Sequence, residues 1–374
     1  MDAVARRILH VVDSTRGGLG RFVSMHLPLQ LRAGDEVIIA APPGDVPRAL
    51  SALGVDHREW HAARRPGPRM RQALTRLARI VALAQPNVVH LHSDMPGLVG
   101  RLLLRGRLPT VFQPHAWSFI AVPRSMRRGA LAWERAGARW ADVVLCVSHE
   151  EADIAGAAGV RGRLVVAPNG VDLQRFAARD AGDRIAARAR LGIDRDVALA
   201  ICVGRLHRQK GQETLVRAWP SVRARVPGAV LALIGDGPDR DALAAAASAG
   251  VRLMGITDDV QSWLASADVV VAPSRWEGMS LSILEALASA RSVIATDVPG
   301  MRDLRAGVGA LVRPDSPDAL ADAIACRLAN PSIAAADGLR GRALVEQGHN
   351  VHDQHSIIAS IYSDLTRVST NPLV

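Results

Sequence analysis

The sequence predicts an α/β protein built as two Rossmann-like domains in tandem, and three observations carry that prediction. Short continuous apolar runs bounded by turn residues alternate with longer segments of helical period. The alternation occurs twice along the chain. Between the two series, at roughly 176–196, lies a polar Arg/Ala-rich stretch with no strand signal. With 374 residues and 49% hydrophobic content, the chain can bury one large core or two ordinary ones.

In the first series RILHVVD (7–13), EVIIAAP (36–42), NVVHLHS (87–93), TVFQPH (110–115), DVVLCVS (142–148) and RLVVAPNG (163–170) read as buried parallel strands. They are unbroken rather than alternating, as strands covered on both faces must be. FVSMHLPLQLRAG and RMRQALTRLARIVALAQ are helix candidates between them. In the second series VALAICVG (197–204), AVLALIGDG (229–237), VRLMG (251–255), DVVVAPS (268–274), SVIATDVPG (292–300) and GALVRP (309–314) are the strands. HSIIASIYSDL sets Ile357, Ile358, Ile361 and Leu365 at helical spacing and predicts a last helix with one apolar face. The expected domains are 1–180 and 181–355, followed by a terminal helix and tail over 356–374.

Composition removes several function classes. The formal charge of +10 is one-sided: residues 1–180 carry 25 arginines against 15 acidic residues, whereas residues 181–374 carry 21 of each sign. Aromatic residues are 3% of the chain, and no dense basic block has aromatics interleaved, so no nucleic-acid partner is expected. A phosphate-bearing substrate, an anionic membrane surface or a solvated arginine-rich face all fit the positive half. Cys146, Cys202 and Cys326 are far apart, which suggests neither a metal site nor a disulfide framework and suits a reducing cytoplasm. No stretch reaches the roughly 18–20 apolar residues of a spanning helix, and MDAVARRILHVVD lacks a signal-peptide core. The expectation is a cytoplasmic protein, soluble or peripheral at the inner face of the plasma membrane.

Ligands of open α/β sheets bind beyond the carboxyl ends of strands, so the post-strand loops are where chemistry is sought. After the first strand, DSTRGGLGRF places Gly17, Gly18 and Gly20 at the start of a helix, where backbone N–H groups can meet an anion. The spacing is not that of a dinucleotide fingerprint, and a tight strand-to-helix turn explains it equally. GRLHRQKG, Gly204–Gly211, holds Arg205 and Lys210 on one post-strand loop, and Lys210 is the sole lysine of the chain. A guanidinium fork and a compact ammonium can converge on a diphosphate; drift at a surface position is the alternative. PSRWEGMSLSILEALA carries Glu277 and Glu285, which a helix would separate by roughly 12 Å. That exceeds the roughly 5–9.5 Å of glycosidase carboxylate pairs, so the two suit opposite ends of one long ligand rather than one scissile bond. One helix-end carboxylate and one solvated carboxylate is the plainer reading.

VGRLHRQKGQETLVRA followed by PSRWEGMSLSILEALA resembles the donor-site signature of glycosyltransferase family 4, retaining enzymes of the GT-B fold with an E-x7-E motif. RILHVVDSTRGGLG, PNVVHLHSDMPGLVGRL, QPHAWSF, ADVVLCVSHEE, VAPNGVD and LMGITDDVQSWLASADVVVAPS fall in the family's order, so the resemblance covers most of the chain. It implies a catalytic cleft between the two domains and a last helix that packs back on the first. It implies that Arg205 and Lys210 bind the donor diphosphate, that Glu277 contacts donor-sugar hydroxyls and that Glu285 contacts the ribose. His115 matches the family's active-site histidine. Gly17 and Gly18 would line the phosphate and acceptor side, Gly204, Gly278, Met279, Ser280 and Leu281 would complete the donor site, and Asp94 is an acceptor-side candidate. Where many members have glycine–aromatic–glycine after the first glutamate, this chain has Gly278, Met279 and Ser280, which puts the donor's identity in question.

The implied reaction is a metal-independent, retaining transfer from a nucleoside diphosphate sugar, UDP- or GDP-linked, with no cofactor. The acceptor hydroxyl would belong to a glycan, a glycolipid or a natural product. A nucleotide-sugar epimerase or hydrolase of the same fold, or a non-catalytic nucleotide-sugar-binding protein, would share the phosphate ligands. RRPGPRMRQALTRLARIVALAQ and PRSMRRGALAWERAGARW set arginines beside apolar stripes, which fits contact with anionic lipid and a lipid-linked acceptor. Core-facing helices with snorkelling arginines fit the same pattern.

Overall fold

The computed structural model describes residues 5–62, 68–178 and 180–369. They form two compact units: the first runs through Asn169 and resumes at Val351, and the second is Gly170–Asn350. These divisions fall earlier than 180/181 and 355/356. Val171 N donates to His349 O at 2.8 Å, and an Arg342 guanidinium donates to Phe176 O at 3.0 Å, which ties residues 170–176 to the second unit. Val351 opens the last helix, Val351–Ser369, and its buried Gln354 donates to Ala167 O at 3.1 Å and to Asn169 Oδ1 at 3.2 Å. Part of the predicted tail, 370–374, and part of the first arginine-flanked stripe, 64–67, lie outside the described residues.

The first unit is an all-parallel sheet of β1 (Arg7–Val11), β2 (Glu36–Ala41), β3 (Asp56–Glu59), β4 (Val88–His92), β5 (Thr110–Gln113), β6 (Val143–Cys146) and β7 (Leu164–Val166). Its strand order is β3-β2-β1-β4-β5-β6-β7. Six of these strands lie inside the apolar runs. The seventh, β3, is Asp-His-Arg-Glu at the sheet edge; it pairs only with β2 and faces solvent, so it carries no apolar signal. The last helix buries Ile358, Ile361 and Tyr362 and belongs to this unit. His26, on the helix Gly17–Arg32, bonds Gln354 at 2.9 Å, and Arg6 donates to Ser363 Oγ at 2.6 Å.

The second unit is a six-stranded parallel sheet of β8 (Leu199–Val203), β9 (Val230–Ile234), β10 (Val251–Gly255), β11 (Val269–Ala272), β12 (Ser292–Thr296) and β13 (Ala310–Val312). Its order is β10-β9-β8-β11-β12-β13. The Arg/Ala-rich linker of the sequence contains the helix Ala181–Leu191, opened by a capping box between Asp180 and Asp183. Each unit has its own core, one around Trp60, Leu91 and Phe112 and the other around Trp219, Leu233 and Val271, all almost wholly excluded from solvent. In each sheet the strand order reverses beside the first strand, between β1 and β4 and between β8 and β11. Those reversals open a crevice at the carboxyl ends of the strands.

Candidate active site

In the second unit β8 and β11 are neighbours, so the loops that leave their carboxyl ends lie side by side across the reversal. The loop after β8 carries Gly204, an exposed Arg205, and a single tight turn, Arg208–Lys210. Gly211 ends that turn at φ +66°, and a Cβ there would sit 2.0 Å from Pro273 O. Only glycine lets the two loops approach that closely. The Lys210 stem passes over Gly204, whose absent Cβ would lie 3.7 Å from the lysine Cδ and Cε.

The loop after β11 places Glu277 against this turn. Lys210 Nζ donates to Glu277 Oε1 at 2.6 Å, and the Ser274 hydroxyl donates to the same oxygen at 2.6 Å. The Glu277 side chain is 7% exposed and that of Lys210 is 22% exposed, so the pair is largely withdrawn from water and the bonds are charge-assisted. Glu277 N donates to Pro299 O at 3.1 Å. Arg275 clamps the two loops: its N donates to Gln209 O at 2.7 Å, and its guanidinium donates to Arg208 O at 2.7 Å and to Glu213 at 2.6 Å. Gln209 Nε2 returns a bond to Trp276 O at 3.1 Å. Arg205 makes no side-chain hydrogen bond among the described residues.

Gly278, Met279 and Ser280 are buried and lead into the helix Leu281–Ala288, which begins at Leu281 with Ser280 as its N-cap. The Ser280 side chain does not cap that end; the Ser280 and Ser282 hydroxyls pair with each other at 3.0 Å. Glu285, 2% exposed, lies one turn along the helix. The fold thus gathers Gly204, Lys210, Glu277, Gly278, Met279, Ser280, Leu281 and Glu285 at one end of one sheet. Ser274, Gln209 and Arg275 were not singled out from the sequence. The polar Ser-Arg pair just after the β11 run was the available signal, but their partners are distant in the chain.

In the first unit, Gly17 and Gly18 open the helix Gly17–Arg32 after β1, both exposed, with no side-chain cap and Gly17 at φ +65°. Gly20 has a packing role instead, since a Cβ there would meet Thr15 O at 2.1 Å. Asp94 begins the helix after β4, exposed, and its carboxylate accepts from Met95 N at 2.8 Å. His115 follows β5 at φ +59°, in the left-handed region that strains a residue with a side chain. Its Nε2 lies 3.1 Å from His92 Nδ1, its ring meets the Phe22 edge at 5.1 Å, and it is half-buried.

Behind His115 lies a set of buried imidazoles. His10, His26, His90 and His92 are at most 1% exposed. Desolvation lowers all of them: His10 to about 4, His26 to about 3, and His90 and His92 well below the ordinary histidine value. Desolvation also pulls the half-buried His115 down to about 3. These rings are therefore neutral at neutral pH. No local sequence pattern announces this assembly, because its members come from β1, the helix Gly17–Arg32 and β4, which are far apart in the chain.

Comparison with known proteins gives two family matches, glycosyltransferase family 4 over residues 16–175 and glycosyl transferases group 1 over residues 198–330. The chain is 28% identical over 288 residues to the lipopolysaccharide core biosynthesis mannosyltransferase LpsB of Rhizobium meliloti, covering 73% of this chain and 77% of that one. It is 35% identical over 243 residues to the GDP-mannose-dependent alpha-(1-6)-phosphatidylinositol monomannoside mannosyltransferase of Mycolicibacterium smegmatis, covering 60% of this chain and 61% of that one. The crystal structure of Anabaena Alr3699/HepE in complex with UDP and glucose superposes with TM-score 0.81 at 21% identity over 96% of this chain and 99% of that one. WaaG, a glycosyltransferase involved in lipopolysaccharide biosynthesis, gives TM-score 0.76 at 17% identity over 95% and 99%. These superpositions show the two-domain GT-B fold. With both sheets, their reversal-point loops and both family matches in place, the chain belongs to the group 1 glycosyltransferases of family 4.

Proposed function

We propose that the protein transfers a hexose, with retention of anomeric configuration, from a UDP- or GDP-linked donor to an acceptor hydroxyl of a glycan or glycolipid. The observation that carries the reading is the Lys210–Glu277 contact at 2.6 Å, with the Ser274 hydroxyl on the same carboxylate oxygen. This pair joins an ammonium suited to phosphate with a carboxylate suited to sugar hydroxyls, at the carboxyl ends of adjacent strands. Cleaving the anomeric bond builds negative charge on the departing diphosphate and positive character on the sugar. Arg205 and Lys210 then stabilise the phosphate, and the uncapped start of the helix Leu281–Ala288 adds backbone donors.

Glu277, held in place by Lys210 and Ser274, takes the sugar hydroxyls, and Glu285 takes the ribose. Gly204, Gly278, Met279 and Ser280 supply close backbone approach, and Leu281 packs beside them. Gly17, Gly18 and His115 serve the acceptor side and transferred sugar, and Asp94 serves the acceptor. The leaving phosphate receives the acceptor proton.

A lipid-linked acceptor at an anionic membrane surface suits the first unit. Met126 is 53% exposed, and Arg124, Arg127 and Arg128 stand exposed around it. Beside them Phe119, Ile120 and Leu131 line an apolar groove. No helix of the described residues is long and apolar enough to cross a membrane. The names of the two mannosyltransferase relatives favour a mannosyl donor. The test is mass-spectrometric screening of UDP- and GDP-sugars against lipid-linked and soluble acceptors, with the product's anomeric configuration read by NMR. Acceptor-dependent release of the nucleoside diphosphate is expected; binding without release under every donor and acceptor would overturn the proposal.

A further inference from the structure

We propose that Gln30, His10 and His92 are positioning residues that fix the ring tautomer of His115, so that its Nδ1 faces the substrate as a hydrogen-bond acceptor for a hydroxyl. The inference rests on the active-site role of His115 given above.

Three contacts run in series. Gln30 Oε1 lies 2.8 Å from His10 Nε2, His10 Nδ1 lies 3.0 Å from His92 Nε2, and His92 Nδ1 lies 3.1 Å from His115 Nε2. A neutral imidazole has one N–H and one lone pair, so each bond dictates the next. A carbonyl oxygen only accepts, so His10 carries its proton on Nε2 and offers Nδ1. His92 must then be protonated on Nε2, and His115 likewise. The remaining atom, His115 Nδ1, is a lone pair; it makes no hydrogen bond among the described residues.

Two features hold the series in this sense. Gln30 is 1% exposed and its Oε1 lies 2.8 Å from His10 Nε2, so burial holds the carboxamide in that orientation, with no water to turn to. Burial keeps every ring in the series neutral, as the lowered values of His10, His92 and His115 show, so no member can reverse the direction by taking a second proton. A lone pair at His115 recognises a group with a proton to give. A sugar hydroxyl has one; a phosphate dianion or an ether oxygen does not.

His10, His90 and His92 also bring one ring nitrogen each within 4.8 Å of one another, the spacing of a metal site. A metal there would take nitrogens that the series uses, and the two arrangements exclude each other.

The test uses the full chain labelled with ¹⁵N-histidine and long-range ¹H–¹⁵N correlation at neutral pH. The expected result is His10, His92 and His115 all protonated on Nε2. In Gln30→Leu the tautomers become mixed, turnover falls roughly tenfold, about the worth of one neutral hydrogen bond, and affinity for the free nucleoside diphosphate is unchanged. Gln30→Glu, which keeps the acceptor, restores both tautomer and turnover relative to Gln30→Leu. An Nδ1–H His115 in the wild type, fixed tautomers in a folded Gln30→Leu protein, or a stoichiometric metal ion in the purified protein would each overturn the proposal. Tautomers as expected with a fully active His115→Ala variant would overturn the substrate role of His115 while leaving the series intact, which separates the two readings.

Discussion

Lys210 and Glu277 are 67 positions apart in the chain and 2.6 Å apart in the fold. The chain's sole lysine is thus half of a largely buried ion pair, braced by Ser274 and backed by Gly204. Arginine serves every other basic position, but a guanidinium here would have to fit a slot shaped by a slender ammonium stem.

Lys210→Ala is expected to lower turnover at saturating donor by roughly 10²–10³, the scale for removing one electrostatic donor from a preorganised site. Part of the loss comes from leaving Glu277 without its cation. Lys210→Arg keeps the charge and changes the shape, and is expected to lose about tenfold or more. Steady-state transfer assays check both; an alanine variant within threefold of wild type would remove Lys210 from the site.

Glu285→Ala should act on binding rather than on the chemical step. A charge-assisted bond to ribose hydroxyls predicts a nucleoside diphosphate affinity lower by roughly 10- to 100-fold. Calorimetric titration measures it directly, and an unchanged affinity would rule out the ribose role.

Gly300 supports the Glu277 loop from behind. It sits at φ +92°, and an added Cβ would lie 2.6 Å from both Glu277 O and Gly278 O. Gly300→Ala is therefore strained twice, by backbone conformation and by contact, and is expected to cost about 1–3 kcal/mol. Denaturant unfolding gives that cost. Because the contact is with the loop proposed to hold the donor, nucleotide affinity should fall in the variant at temperatures where it remains folded.

The buried imidazoles predict acid lability. Burial lowers His10 to about 4 and His26 and His115 to about 3 from the ordinary histidine value of 6.5. Below 6.5 the unfolded chain takes up protons that the folded one refuses, so stability is complete above that pH and falls as pH drops toward 4. Each such histidine contributes a slope of up to about 1.4 kcal/mol per pH unit. Denaturant midpoints at a series of pH values should trace this fall, and His26→Leu should flatten it. A flat profile between 6.5 and 4 would mean that the rings are not held neutral.

The sequence by itself determined the two-series architecture, because strands covered on both faces must be continuous apolar runs, and twelve of the thirteen strands among the described residues lie within the runs read from it. It also singled out the post-strand loops of Lys210 and Glu277, through the rule that ligands sit beyond strand ends. It left β3 invisible, since an exposed edge strand needs no apolar residues. It placed the first division about ten residues late, since bonds from Val171 and Phe176 to distant partners leave no local pattern. Only the tertiary structure decided that Lys210 and Glu277 touch, that Ser274 and Arg275 brace them, and that histidines from β1 and β4 line up behind His115 in the loop after β5. Periodicity reports which face of an element is buried. Which side chains meet across a strand-order reversal depends on register and loop path, and those are properties of the assembled sheet.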